Sequence, residues 1–274
     1  MSITQESILD DLENDRLPLP TLPEVAIKVR ETVDDDNATI RDICDIIITD
    51  AALSARIIQV ANSALYRGLS SADNVHNAVT RMGLNTVRNL ATSLVMKQLF
   101  QATNPVVDKY LRKTWKQSTD IAALSAILAK NYTRLPSDSA LLAGLTHSIG
   151  VSPILVKAES DPSLLNNTDK LEQILYDIYP VVGARILKNW GFSPAMIMVP
   201  EQHLDIMRRD GDESASPDFT DIVQIALIET VSGTNHPLGH IILEDIPAFQ
   251  RIGMENIEEI DMSGGVEEVR AVIR

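Results

Sequence analysis

The residues able to do chemistry are few: five histidines (His76, His147, His203, His236, His240) and one cysteine, Cys44. The stretch GLTHSIG, Gly144 to Gly150, puts His147 near the end of an apolar helical run and shortly before a glycine. A metal-binding doublet at such a place would read His-Asp, the carboxylate offsetting the charge of a divalent ion. Here the next residue is Ser148. A structural metal needs about four ligands in close array, and only His236 and His240 share a helical spacing. Those two flank Pro237 and Gly239, which do not suit a helix. Taken singly, each histidine is most simply a satisfied core or surface side chain. The chain has no Gly-rich phosphate loop, no Gly-x-Ser-x-Gly elbow, no His-Glu-x-x-His and no Cys-x-x-Cys. Cys44 sits among Ile43, Ile46 and Ile47, the setting of a buried, inert thiol. A lone cysteine allows no disulfide within the chain, which fits a reducing cytoplasm.

Elements must hold these residues, and nearly every segment reads as helix. Ser2 with Gln5 predicts a capping box ahead of Ile8, Leu9 and Leu12. Three prolines break LPLPTLPEVA, after which Pro23 suits a first helical turn with Thr21 as its cap. Leu22, Val25, Val29 and Val33 then recur at helical spacing. Thr39 with Asp42 starts a helix carrying Ile43, Cys44 and Ile47. Asp50 caps another, with Leu53, Ile57, Val60 and Ala64 on one face, and Asn74 precedes a short one that Gly83 stops. Asn104-Pro105 marks a boundary before a long helix that runs through Trp115 to about Tyr132. Pro136 and Ser137 open the run that ends at His147. Further helices are predicted over 168–178, 181–190, 194–207 and 219–231, with shorter ones near 245–251 and 265–273. The polar run RRDGDESASPD, Arg208 to Asp218, reads as a loop or linker. Trp115 and Trp190 are expected to anchor helix contacts. Asn62 is expected to end a helix rather than touch a ligand.

Composition agrees with an all-α chain. Hydrophobic residues make up 45% and aromatics only 4%, so aliphatic helix packing is favoured over a β-sandwich. No run of 18 apolar residues occurs, so no membrane span is expected, and the acidic N-terminus does not resemble a signal peptide. With 24 basic against 38 acidic residues, the net charge of −14 argues against general nucleic-acid binding. The charge is uneven. Residues 51–134 hold 11 basic and 3 acidic residues, whereas 1–50 hold 4 and 13. Solvated faces explain this most simply, Arg112, Lys113 and Lys116 among them.

Three blocks add a resemblance. LPTLPEVAIKV, ITDAALSARIIQVANSALY and NAVTRMGLNTVRNLATS, in this order and spacing, resemble the HDOD family. These are bacterial signalling modules related to the HD and HD-GYP metal-dependent phosphohydrolases. The resemblance runs from about Leu17 to about Ile228. It implies a multi-helical, all-α fold: an N-terminal helical lobe over 1–103, an HD-domain-like lobe over 104–232, and a C-terminal helical extension over 233–274. HD relatives hold one or two divalent metals on His and Asp side chains, and the metal lowers the pKa of a bound water. Carried over residue by residue, the first histidine falls at Gln117 and the doublet at His147-Ser148. A histidine of some relatives falls at Tyr179, and one of a further pair falls at His203, beside Gln202. The closing aspartate falls at Leu227, which cannot ligate a metal.

Two imidazoles, His147 and His203, remain, with Glu201 as a candidate third ligand. The resemblance therefore implies a pseudoenzyme with no catalytic residue and no cofactor, acting through signalling proteins in trans. Two alternatives stay open: a residual phosphohydrolase with a divalent metal on His147, His203 and Glu201, and a sensor holding a nucleotide or cyclic dinucleotide in the former cleft.

Overall fold

Side-chain caps set most of the helix starts. The computed structural model describes residues 3–63, 65–68, 70–209, 212, 214–254 and 265–273. Helix α1 (Gln5–Glu13) begins at a capping box made by Thr4 and Ser7. The expected Ser2 cap lies outside the described residues. α2 (Glu24–Val33) follows Pro23 with no side-chain cap, so Thr21 does not take that role. α3 (Ile40–Ile48) starts from the Thr39–Asp42 box, α4 (Ala51–Ala61) from Asp50 and α5 (Val75–Met82) from Asn74. Gly83, at φ 83°, ends α5 and leads into α6 (Leu84–Val95). Ala64, predicted on the face of α4, lies outside the described residues.

Asn104 caps α7 (Pro105–Tyr132), the longest helix among the described residues. Then come α8 (Ser137–Thr146), α9 (Val151–Ala158) and the single turn α10 (Pro162–Leu165). α11 spans Thr168–Asn189 without a break. The sequence predicts two helices here because Pro180 lacks an amide hydrogen and its ring crowds the carbonyl four residues back. Packing overrides that cost: Ile178, Tyr179, Pro180, Val182 and Gly183 are all buried. α12 (Pro194–Gln202) stops five residues short of its predicted end, and α13 (Phe219–Val231) starts from an Asp218–Asp221 capping box. α14 (Pro247–Ile252) and α15 (Gly265–Ile273) follow. No strand occurs among the described residues.

α7 is the central rod, packed by α8, α13 and α15. Residues from all three predicted parts share one apolar core, from Ile8 through Leu111 and Leu142 to Ile252 and Ile273. Trp115 is buried against Phe100, ring centres 5.3 Å apart. Trp190 is only half-buried, and its indole N–H donates to the Pro20 carbonyl at 3.0 Å. It thus ties the end of α11 to the proline segment. Asn62 is structural: its amide N–H donates to the Ala72 carbonyl and its oxygen accepts the Ala72 N–H, both at 2.8 Å, closing the loop after α4. The stretch Ser137–Ala158 reaches the length and mean hydropathy (1.5) of a membrane-crossing segment, but 89% of that window is buried inside the protein. Arg112, Lys113 and Lys116 are exposed on α7.

Candidate functional site

Two glycines bring the GLTHSIG turn into place. A Cβ on Gly144 would lie 2.5 Å from the Ala122 Cα, so α8 sits directly on the α7 backbone. A Cβ on Gly150 would lie 2.1 Å from the Tyr179 carbonyl oxygen, so the α8–α9 turn sits equally close to α11. His147 ends α8 between these contacts, while His203 ends α12, which packs on α11 and α8.

The two imidazoles meet edge to face, 5.1 Å between ring centres, and are 3% and 0% exposed. Their tautomers follow from their partners. The Nδ1 of His147 lies 2.6 Å from the Gly144 carbonyl, and that of His203 lies 3.0 Å from the Val199 and Pro200 carbonyls. A carbonyl can only accept, so each Nδ1 carries the hydrogen and each Nε2 is a lone pair. Tyr179 then donates its hydroxyl hydrogen to the His203 Nε2, at 2.6 Å. Beside them, the hydroxyls of Ser148 and Ser118 share a hydrogen bond of 2.7 Å.

Electrostatics keep the cluster neutral. Burial lowers the pKa of His147 to about 4, against the opposing hydrogen bond to Gly144. Burial lowers His203 to about 3, helped by the nearby His147. Burial also drives the Tyr179 hydroxyl well above its ordinary range. At neutral pH the site is two uncharged imidazoles, a phenol and two hydroxyls.

The structure brings together His147, Ser148, Tyr179 and His203 from the residues singled out in the sequence. Gln117 is half-buried on α7, and its neighbour Ser118 makes the polar contact instead. Leu227 is buried on α13. Glu201 is exposed while His203 is fully buried, and residues two apart on a helix do not share a face, so Glu201 is not a third donor beside the imidazoles. Among the described residues, no group of three or more His, Cys, Asp or Glu side chains is placed to hold a metal. These residues do not fit a divalent ion. Both Nδ1 atoms are spent on backbone carbonyls, the His203 Nε2 is spent on Tyr179, and no carboxylate offsets the charge.

Sequence reasoning missed Ser118 and His236. His236 stacks edge-on to Tyr176 at 6.1 Å, and its charge would further lower the pKa of both buried histidines. Tyr176 lies one turn before Tyr179 on α11, a spacing that was open to view. His236 sits in a turn, where no periodicity points inward.

A second buried polar group was also missed. Arg208, Asp221 and Arg251 are buried together. Asp221 accepts from the Arg208 Nη1 at 2.6 Å and from Arg251 at 2.7 and 3.1 Å. Arg208 also pairs with Asp218 at 2.7 Å. Burial raises the Asp218 pKa, but the hydrogen bonds from Arg208 and the Asp221 amide outweigh it and hold the group below the usual range. The predicted linker therefore opens on a buried anchor.

The fold and these motifs agree with the comparisons. The HDOD domain matches residues 19–206, narrower at its end than the resemblance read from the three blocks. A crystal structure from Shewanella amazonensis SB2B, named "Putative metal-dependent phosphohydrolase", is 32% identical with a TM-score of 0.87, covering 98% of each chain. An HDOD domain protein with unknown function from Geobacter sulfurreducens shares the fold at 18% identity, with a TM-score of 0.67, covering 98% of this chain and 97% of that one. An uncharacterized protein of Treponema pallidum (strain Nichols) is 24% identical over 205 residues, 70% of this chain and 38% of that protein's length. The chain thus spans well under half of that curated relative. On the family match and the Shewanella relative together, this all-α, HD-like chain belongs to the HDOD domain family.

Proposed function

We propose that the chain is a catalytically inactive HDOD module that works in bacterial signal transduction by binding. The observation that carries this reading is the closed set of hydrogen bonds at His203. Its Nε2, which would face a metal, accepts from Tyr179 instead. A hydrolase of this chemistry needs a water activated by a metal, and this donor set offers no anion to hold one. The fold of a hydrolase then serves as a scaffold, and function lies in its surfaces. The division at 103 and 232 belongs to the same reading, as do the expected lack of general nucleic-acid and membrane binding and a cytoplasmic setting.

Metal analysis of the purified chain after incubation with Mn²⁺ or Fe²⁺, run alongside hydrolysis of a chromogenic phosphodiester, tests the proposal. The expected result is substoichiometric metal and no metal-dependent turnover. Stoichiometric metal and turnover, both lost in a His147→Ala/His203→Ala variant, would overturn it.

The name of the Shewanella relative favours a second reading, a metal-dependent phosphohydrolase. In this chain it would require Tyr179 to leave His203 and a carboxylate to be recruited. A nucleotide or cyclic-dinucleotide sensor is separated from both by thermal-shift titration, where no shift at saturating ligand counts against it.

A further inference from the structure

A cleft of about 530 Å³ opens between the proline segment, one face of α2 and the end of α11. Small-molecule sites occupy roughly 300–1,000 Å³, and no residue of the histidine cluster lines this one. Its wall is apolar at Leu19, Ile27 and Trp190. Ile27 is left 37% exposed there, while its neighbours Ala26 and Val29 are buried. The indole N–H of Trp190 is spent on the Pro20 carbonyl, so the ring is held in place and offers apolar surface.

Arg30 gives the cleft its chemistry. Its guanidinium lies over the Phe192 ring, 4.2 Å from the centre. Among the described residues it has no hydrogen bond and no ion pair. Asp34, one turn along α2, is already paired with Arg88 at 2.7 Å. Burial and the Arg88 charge push the Arg30 pKa down, against Asp34, so an incoming anion would supply the missing partner. The planar fork of an arginine matches a carboxylate through two parallel hydrogen bonds. Glu31 and Asp34 line the same wall, and their charges weigh against a ligand with several negative charges.

We infer that this cleft is a binding site for a small aromatic carboxylate, whose acid group pairs with Arg30 and whose ring packs on Trp190 and Ile27. Bound there, the ligand bridges α2 and the end of α11, the helix that carries Tyr179. The site goes beyond the inactive-module reading, because a metal at the histidines would sink that reading and leave the cleft unchanged.

Two tryptophans make the test direct. In the full-length chain their indole N–H signals are separate NMR reporters, Trp190 at the cleft and Trp115 in the core. A Trp115→Phe variant assigns them. Titration with naphthaleneacetate should move the Trp190 signal along a saturating curve and leave that of Trp115 still. Naphthaleneacetamide, the same ring without the charge, should bind at least about tenfold more weakly. Arg30→Met keeps an unbranched side chain on Phe192 and should weaken naphthaleneacetate about tenfold while leaving the amide as it was. If Arg30→Met does not fold, the wild-type comparison of acid and amide decides. No movement of the Trp190 signal up to about 10 mM naphthaleneacetate, or equal affinity for acid and amide, would overturn the proposal. So would a folded Arg30→Met chain that binds the acid as the wild type does. Tighter binding of adenosine monophosphate than of naphthaleneacetate would overturn it in favour of a nucleotide.

Discussion

Two buried polar clusters in this molecule solve one problem in opposite ways. Around Asp221, two guanidiniums and a carboxylate are buried with their charges kept. Around His203, the polar groups are buried with no charge at all. The difference lies in how fully the partners are supplied. Asp221 accepts three hydrogen bonds from Arg208 and Arg251, a longer one from Arg209 at 3.5 Å, and the Asp218 amide at 3.0 Å. Arg251 also donates to the carbonyls of Arg208 and Arg209. Such completeness is what allows an ion pair to survive desolvation. At the histidines no carboxylate is present, so neutrality is the cheaper state. The charged cluster anchors α13, α14 and the segment after α12. The neutral one joins the ends of α8 and α12 to α11.

The largest expected effect comes from breaking the charged side. Asp221→Ala leaves the buried Arg251 guanidinium without its carboxylate and Arg208 with Asp218 alone, and should cost about 3–5 kcal/mol in urea unfolding. A loss below about 1 kcal/mol would mean that the arginines reach water, and the contrast would fail. The neutral side should respond to acid instead. Both histidines have folded pKa values, about 4 and about 3, below the unfolded value of 6.5. Between pH 6.5 and 4 the unfolded chain therefore binds more protons. Stability is complete above pH 6.5 and is lost as the pH falls, by on the order of 2–4 kcal/mol at pH 5 for the pair. Urea midpoints measured from pH 7 to 5 check this, and a profile unchanged in a His147→Phe/His203→Leu variant would remove the histidines from the account.

A smaller change sharpens the neutral side. Tyr179→Phe leaves the His203 Nε2 without its donor and should cost about 1–3 kcal/mol, with fold and core otherwise kept. An unchanged unfolding midpoint would show that the hydrogen bond adds nothing. The smallest effect calibrates the rest. Arg112 pairs with Asp108 on the exposed face of α7. Arg112→Ala should leave the melting temperature within experimental scatter, because such pairs are screened by water. A fall comparable to that of Asp221→Ala would deny that burial separates these interactions.

Much of the helical frame could be read locally. Thr39 with Asp42, Asp50, Asn74 and Gly83 sit where their chemistry predicts, because a cap or a stop involves only its own turn. Pro180 misled for the same reason. Its local penalty is real, and only burial of the surrounding turn of α11 overrides it. Arg208 misled too: the polar composition of its segment says loop, while its side chain is paired with residues 10 and 13 positions away and its carbonyl accepts from Arg251.

The sequence by itself determined an all-α chain of the HDOD kind, and the resemblance singled out Gln117, His147, Ser148, Tyr179, His203 and Leu227 as the positions to compare. Residue types and their order along the chain carry that much, and both are legible without coordinates. Tertiary structure alone decided that His147 and His203 touch, that Tyr179 satisfies the second imidazole, and that Ser118 rather than Gln117 reaches Ser148. It also decided that Glu201 stands apart. Each of these depends on the approach of helices distant in sequence, set by the close contacts at Gly144 and Gly150, and no local pattern encodes such distances.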